Sequence, residues 1–450
     1  MVTIDWNQIL DGILPHESNE ALISKSFVDP LIESLGFNQQ EQIPAFSTGN
    51  GTVDFAARKN AVSDNFSFSK TNPYLLIEVK ARATGAGANI NLSDGTPQYI
   101  RAREQIKRYL LSPNCQKSQW GIITNSVHIQ LFRKHGKVVV PATSSLLIKK
   151  DNIHDIVAHI KNLIDNPPKA LTVCVYNNKG GVGKTTTTVN LAAILTRKGK
   201  KVLVIDFDPQ QGDLTNSLGL QLGKISLYDC LADRTLDIRN TIKHFGVKFK
   251  SGETVKFDVI PADPKMGLFT EQDLVAKIDK GSARLRDAIK IFKTEYDYIF
   301  IDCPTNWMFF SQSSLYACDA VLIPTKHNNL ASLENAAKVI KDFIPKVKAA
   351  RPDGGPIALP IFFNGESISP PQLKTANKEI QDIIIRESKQ INLQPYFWPN
   401  YTKANTNTEI FILPSYAIVS GAAFDRIPAA FKHSTAAQHY LDLAKEYFIL

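Results

Sequence analysis

The chain has 450 residues, with 52 Lys and Arg against 43 Asp and Glu and a formal charge of +9. Hydrophobic residues at 43% and charged residues at 21% describe a globular protein with cores to fill, which excludes a disordered chain or a collagen-like repeat. At roughly 150 residues per domain, the length predicts two to three domains. No apolar run reaches the roughly 18–20 residues that a membrane helix needs, so no membrane partner is expected. The opening MVTIDWNQILDGI has no basic start followed by an apolar stretch, so no signal peptide is expected either. Cysteines at 115, 174, 230, 303 and 318 are scattered and never in CxxC spacing. That pattern predicts a reducing, cytoplasmic setting with no disulfide framework and no thiolate metal site. Residues 1–165 hold 17 basic and 15 acidic side chains, and residues 166–450 hold 35 and 28. The positive excess lies in the later part and favours a polyanionic partner such as nucleic acid.

The first predicted element is a helix over residues 22–35. Leu22, Ile23, Phe27, Val28, Leu31, Ile32 and Leu35 recur at helical spacing, and Gly36 fits as the stop. TVDFAAR (52–58) and PYLLIEVKA (73–81) read as strands, followed by a helix around 97–111 and strands at 120–125 and 128–134. This predicts an α+β unit with a mixed sheet over 1–165. Residues 166–170 contain Pro167-Pro168 and read as a linker. From 171 onward, apolar strands at 171–177, 201–206, 256–260, 297–302, 319–323 and 357–363 alternate with helical stretches, which predicts an α/β unit with a parallel sheet wrapped by helices.

Within the first unit, Asp54 stands in an apolar strand and Glu78-Val79-Lys80 follows 24 residues later. Glu78 and Lys80 share a strand face. An acid among Leu75, Leu76 and Ile77 is costly to bury unless a metal or a charge satisfies it. Asp and Glu oxygens suit Mg²⁺, and a neighbouring lysine can orient an attacking water. The set resembles the D…ExK nuclease core, and more closely the N-terminal domain of type I restriction enzyme R subunits. Glu20, sixteen residues before Gly36, fits that family's opening-helix acid. Gln105 and Tyr109 fit its QxxxY element, and WGIITNSVHIQLFRK fits the hairpin that follows. The resemblance, over about residues 15–150, implies metal ligation by Glu20, Asp54 and Glu78, catalysis by Asp54, Glu78, Lys80 and Gln105, and a DNA substrate. A nuclease fold that only grips DNA is the alternative. Arg101, Arg103, Lys107 and Arg108 on the Gln105 helix form either a phosphate-contacting rim or a solvated face.

At the head of the second unit, Asn178-Lys179-Gly180-Gly181-Val182-Gly183-Lys184-Thr185-Thr186 joins a strand to a helix. Such a loop aims backbone N–H groups and a helix N-terminus at phosphates. Its glycines allow close approach, Lys184 reaches the β/γ-phosphates and the Thr185 hydroxyl suits Mg²⁺. Asn178 occupies the place of the first glycine in the strict GxxxxGK pattern.

KGGVGKTT resembles the deviant Walker A motif of ParA/MinD-type ATPases. KVLVIDFDPQQGDLTNSLG (201–219) resembles that family's second motif and YDYIFIDCP (296–304) its Walker B strand. The resemblance spans most of residues 171–450. It implies phosphate binding by Gly180, Gly181, Gly183, Lys184, Thr185 and Thr186, and Mg²⁺ at Thr185 and Asp302. It also implies that Asp208 positions the attacking water, that Lys179 reaches the partner's nucleotide and that Asn364 touches adenine. For Asp206, a brace for its loop and a direct Mg²⁺ role stand even. After Asp208, Gln211 and Gly212 make the segment one residue longer than the common form. The expected protein is an ATP- and Mg²⁺-dependent homodimer on DNA, nucleoid-associated, stimulated by a separate activator protein and coupled to a metal-dependent endonuclease in defence or plasmid control. The alternative is a segregation or positioning ATPase whose first unit only binds DNA.

Overall fold

The computed structural model describes residues 4–84, 87–278, 280–365, 367–401, 406–414, 419 and 421–450; the side chains of 11–13 are outside that description. It divides into two compact units, Met1–Pro167 with Pro352–Gly354 and Leu450, and Pro168–Arg351 with Gly355–Ile449.

The first unit is a seven-stranded mixed sheet. Its strands are β1 (Gln42–Ser47), β2 (Thr52–Ala57), β3 (Leu75–Val79), β4 (Trp120–Thr124), β5 (His128–His135), β6 (Val138–Pro141) and β7 (Leu146–Leu147). They run in the order β1-β2-β3-β4-β5-β6, with β7 beside β5. Among the described residues of this sheet, only β3 and β4 pair in parallel; β2 meets β3 antiparallel. All five residues of β3 are buried. That is why an apolar LLIEV segment, polar only at Glu78, forms a central strand. One face packs on the Ile153–Asp165 helix and the helical run from Glu20 to Ser34. The other packs on the Pro97–Leu110 helix through Tyr99, Ala102, Ile106 and Leu110. The expected 22–35 helix starts at Glu20, because the Asn19 side chain accepts the N–H of Leu22 at 2.9 Å. It widens into a π-turn at Ser24–Val28 just before Pro30. Pro30 has no N–H to donate, and its ring would clash with the carbonyl four residues back in an α-helix. Gly36 ends the run at φ +95°.

The second unit centres on another seven-stranded sheet. Its strands are β8 (Leu171–Val175), β9 (Val202–Asp206), β10 (Lys243–Lys248), β11 (Thr254–Ile260), β12 (Tyr298–Asp302), β13 (Ala320–Leu322) and β15 (Ile357–Ala358). They run in the order β10-β11-β9-β12-β8-β13-β15. The fully parallel sheet expected from the alternation is corrected at one edge, where β10 pairs antiparallel with β11. Five residues with Gly252 at φ +86° join the two, long enough for a hairpin and far too short for a crossover helix. The single strand expected at 357–363 is also corrected. Pro360 has no N–H for a ladder, and the chain breaks there. Ile357–Ala358 stays with β13, while β16 (Phe362–Gly365) leaves to join β14 (Pro324–Thr325) and β17 (Ile412–Pro414) in a small parallel sheet. Two apolar clusters, one around Cys174 and Val321 and the other around Ile205 and Ile301, line one face of the main sheet, while Phe300 on the opposite face packs against Phe448 of the closing segment. The closing helix Ser434–Tyr447 buries Ala436, Tyr440, Leu443, Ala444 and Tyr447.

Candidate nucleotide site and a carboxylate–lysine cluster

The C-terminal ends of β8, β9 and β12 lie side by side, with Asp206 and Asp302 in register on neighbouring strands. From β8 the chain turns through residues 178–183 into the Lys184–Arg197 helix. Gly181 and Gly183 take φ +72° and +83°, where a side chain is strained. A Cβ at Gly183 would lie 2.1 Å from Asn364 Nδ2. Lys184 is buried, and its Nζ lies 3.4 Å from the Lys179 carbonyl, folded back over the loop. Lys179 is half-buried, Gly180 and Gly181 are exposed, and Thr185 and Thr186 open onto a cavity of about 400 Å³ shared with Asn190, Asp213 and Asn216. A strand-to-helix turn of this kind at the carboxyl edge of a parallel sheet defines a P-loop NTPase fold.

Three acids stand beside the loop. Thr185 Oγ1 donates to Asp302 Oδ2 at 2.6 Å. Asp302 Oδ1 is buried and has no hydrogen-bond partner. Burial, with the Asp206 charge next, pushes the Asp302 carboxyl up to about 8. An unpartnered buried oxygen beside a threonine hydroxyl is an all-oxygen donor set that fits a hard divalent cation such as Mg²⁺. Asp206 is fully buried and differently engaged. Its Oδ2 accepts the N–H and the hydroxyl of Thr215 at 2.9 and 2.6 Å, and its Oδ1 faces the Asp208 N–H at 3.3 Å. Burial raises Asp206 to about 6 against those hydrogen bonds. Between the two readings of Asp206, these bonds favour the brace. Asp208 is half-buried, burial raises its pKa, and its Oδ1 faces the Gln210 and Gln211 N–H groups, each at 3.3 Å. Asn364 is buried, and its Nδ2 donates to the Val182 carbonyl at 2.9 Å and lies 3.3 Å from Thr187 Oγ1. Its side-chain N–H₂ is thus engaged by the loop and the helix behind it.

Sequence reasoning missed Thr215 and Tyr176. Tyr176 is buried beneath the loop, and its hydroxyl donates to Asn178 Oδ1 at 3.0 Å. Asn178 therefore has a local task where the strict motif has glycine. A tyrosine two residues before a polar loop residue was the available signal; nothing in the spacing of 206–215 singled out Thr215.

In the first unit the sheet brings Asp54, Glu78 and Lys80 together. Asp54 Oδ2 accepts the Val79 N–H at 2.6 Å. Glu78 is 2% exposed; its Oε1 pairs with Lys80 Nζ at 2.5 Å and its Oε2 has no partner. Burial raises Glu78 to about 7, Lys80 opposes that shift and the Asp54 charge adds to it. Burial also raises Asp54. Gln105 Nε2 donates to Tyr109 Oη at 3.0 Å, so the QxxxY pair closes on itself along the helix. Glu20 is exposed at the start of its helix. Among the described residues, no three His, Cys, Asp or Glu side chains are grouped to hold a metal, while the Glu20 charge lies near enough to add to the upward shift of Glu78.

Residues 170–351 match the family model of the AAA domain. The sporulation initiation inhibitor protein Soj of Bacillus subtilis is 40% identical over 156 residues, 34% of this chain and 57% of Soj. The chromosome partitioning protein ParA of Myxococcus xanthus is 38% identical over 155 residues, 34% of this chain and 50% of that protein. The chain thus spans about half the length of these curated relatives. McdA of Cyanothece, solved as an ATP complex, is 19% identical with a TM-score of 0.46, covering 62% of this chain and 96% of that one. Part of the second unit thus matches the AAA domain, and about a third of the chain is similar to the partitioning proteins Soj and ParA. The match to the AAA domain lies wholly within that unit and lends no support to the nuclease expectation for residues 15–150.

Proposed function

We propose that the second unit binds ATP with Mg²⁺ and hydrolyses it as an ATP-dependent homodimer on DNA, in the manner of a chromosome- or plasmid-partitioning ATPase, with turnover stimulated by a separate activator protein. The observation that carries this reading is the Thr185–Asp302 pair, with its unpartnered Asp302 oxygen, at the foot of the Gly181–Gly183 turn. Mg²⁺, when bound, neutralises developing phosphate charge. Thr185 and Asp302 would hold it, Asp302 through water. The N–H groups of Gly180, Gly181 and Gly183 and of Thr185 and Thr186 bind phosphate oxygens, and Lys184 binds the terminal phosphates. Asp208 positions the attacking water, Lys179 reaches the partner's nucleotide, and Asn364 belongs to the nucleotide pocket as the brace of its loop. Phosphoryl transfer asks for this kind of positioning more than for covalent chemistry. The positive excess of residues 166–450 suits a nucleic-acid partner in a cytoplasmic, nucleoid-associated setting. Among the described residues, no helix is long and apolar enough to cross a membrane. The test is ATP turnover and ATP-dependent size: Lys184→Ala should abolish nucleotide binding, and Lys179→Ala should leave binding and impair dimer-coupled turnover. Parental turnover by Lys184→Ala would refute the site.

For the first unit, the reading favoured by the relatives of the second is DNA binding. A second reading, metal-dependent DNA cleavage, is favoured by the free Glu78 oxygen beside Asp54 and Lys80. In that reading Asp54 and Glu78 hold the metal, Lys80 orients water, and Glu20 and Gln105 act from the neighbouring helices. Plasmid incubated with Mg²⁺ or Mn²⁺, with and without ATP, separates the two. Nicking that disappears in Asp54→Ala and in Lys80→Ala supports cleavage, and intact plasmid under every condition leaves binding alone.

A further inference from the structure

The segment that leaves β9 and carries Asp208 is an excursion of eight residues, 207–214, that returns to its starting point. Asp206 ends β9, and the short helix Asp213–Ser217 brings Thr215 back onto the Asp206 carboxylate. Thr215 is almost fully buried, and its hydroxyl makes two bonds. It donates to Asp206 Oδ2 at 2.6 Å and accepts the Ala262 N–H, just past β11, at 2.8 Å. The opposite Asp206 oxygen faces the Asp208 N–H. Three backbone points are therefore tied through one carboxylate and one hydroxyl: the start of the excursion, its end, and the neighbouring strand. Within the closed segment, the Gly212 N–H donates to the Asp208 carbonyl at 2.9 Å. Gly212 itself is at φ +55°, which suits the additional residue at Gln211.

We propose that Thr215 is a positioning residue for ATP hydrolysis: by clasping Asp206 to the end of β11, its hydroxyl fixes the 207–214 excursion and with it the placement of the Asp208 carboxylate toward the nucleotide. This inference rests on the ATPase reading of the second unit. Thr215 touches neither the phosphate loop nor Thr185 in the hydrogen-bond network, so its removal leaves the phosphate-binding donors in place. What it changes is the orientation of a group needed only during reaction. A loss of that kind lowers kcat while leaving the substrate affinity near its parental value.

The test uses the full chain and three variants. Thr215→Val keeps the shape and the backbone N–H bond to Asp206 but loses both hydroxyl bonds. Thr215→Ser keeps all of them. Should the valine variant fail to fold, Thr215→Ala replaces it, since a smaller side chain removes the same bonds without crowding. Turnover is measured against ATP concentration with Mg²⁺, binding with a fluorescent ATP analogue, and folding by circular dichroism. With the loss of a hydrogen bond to a charged group as the guide, kcat of the valine variant should fall about tenfold or more, the analogue's Kd should stay within about threefold, and the serine variant should stay within about twofold of parent. Parental kcat in the valine or alanine variant overturns the inference, and so does an equal fall in valine and serine variants. Lys184→Ala, measured alongside, separates the two claims. If it abolishes turnover while Thr215→Val keeps the parental kcat, the positioning role alone fails. If it retains parental turnover, the ATPase reading fails and takes this inference with it.

Discussion

Replacing Glu78 with glutamine should stabilise the first unit at alkaline pH and do little in acid. The Glu78 carboxyl is 2% exposed, and burial moves its pKa from the usual 4.5 to about 7. Its folded-state pKa is therefore above its unfolded one, so between those values the folded state binds more protons than the unfolded state. Stability then falls as pH rises through that window, and the full cost is present above it. At 1.36 kcal/mol per pKa unit, a shift of this size corresponds to about 3 kcal/mol. Glu78→Gln removes that cost but leaves Lys80 without its 2.5 Å partner, and Lys80 is largely buried too. The lost pairing reduces the gain to about 1–2 kcal/mol at pH 8, with no gain near pH 4. Hydrogen exchange of the β3 amides, Leu75 to Val79, reads the first unit without interference from the second. Parent and variant should show the same protection near pH 4 and diverge toward pH 8, with the variant exchanging more slowly. A difference independent of pH, or slower exchange in the parent at pH 8, would refute the burial argument.

Other outcomes follow from the same geometry. Gly183→Ala combines a positive φ with a clash against Asn364 Nδ2, and should cost about 1–3 kcal/mol of stability together with most nucleotide affinity; thermal melts with and without ATP show both. Asn364→Ala removes the brace under Val182 and should weaken ATP binding about tenfold, read by titration of a fluorescent analogue. Gly121→Ala in β4 would push a methyl to 2.8 Å from Ile106 Cγ1 and should destabilise the first unit by about 1–3 kcal/mol in urea titrations, with nucleotide binding by the second unit unchanged.

Much of the architecture was legible because it depends on local chemistry. The helix expected at 97–111 is Pro97–Leu110, since Pro97 and the Thr96 cap mark its start and its apolar face is periodic. The loop from Asn178 to Thr186 could be read because a tight strand-to-helix turn restricts which residues fit, and those restrictions show as glycines at positive φ. Strand β10 was not legible: Lys243, His244, Gly246 and Lys248 give it little apolar signal, and it exists because β11 offers a free edge. Nor could the sequence assign Asp206, Thr215 or Asn364, whose tasks are set by partners 9, 47 and 182 residues away. For Asp54, Glu78 and Lys80 the strand pattern predicted proximity. The closed Gln105–Tyr109 pair and the exposed Glu20 depend on side-chain packing that no spacing rule contains.

The break at Pro360 reaches well beyond the strand it interrupts. It sends residue 364 into a separate little sheet, and from there an amide holds up a turn nearly two hundred residues upstream. A polypeptide trimmed to the 170–351 stretch would retain every glycine and the lysine proposed to grip phosphate, yet lack the prop beneath them. If this half captures nucleotide as proposed, the shape of its grip depends on chain well past the break at Pro360, through Asn364 and the partner strand at Ile412–Pro414.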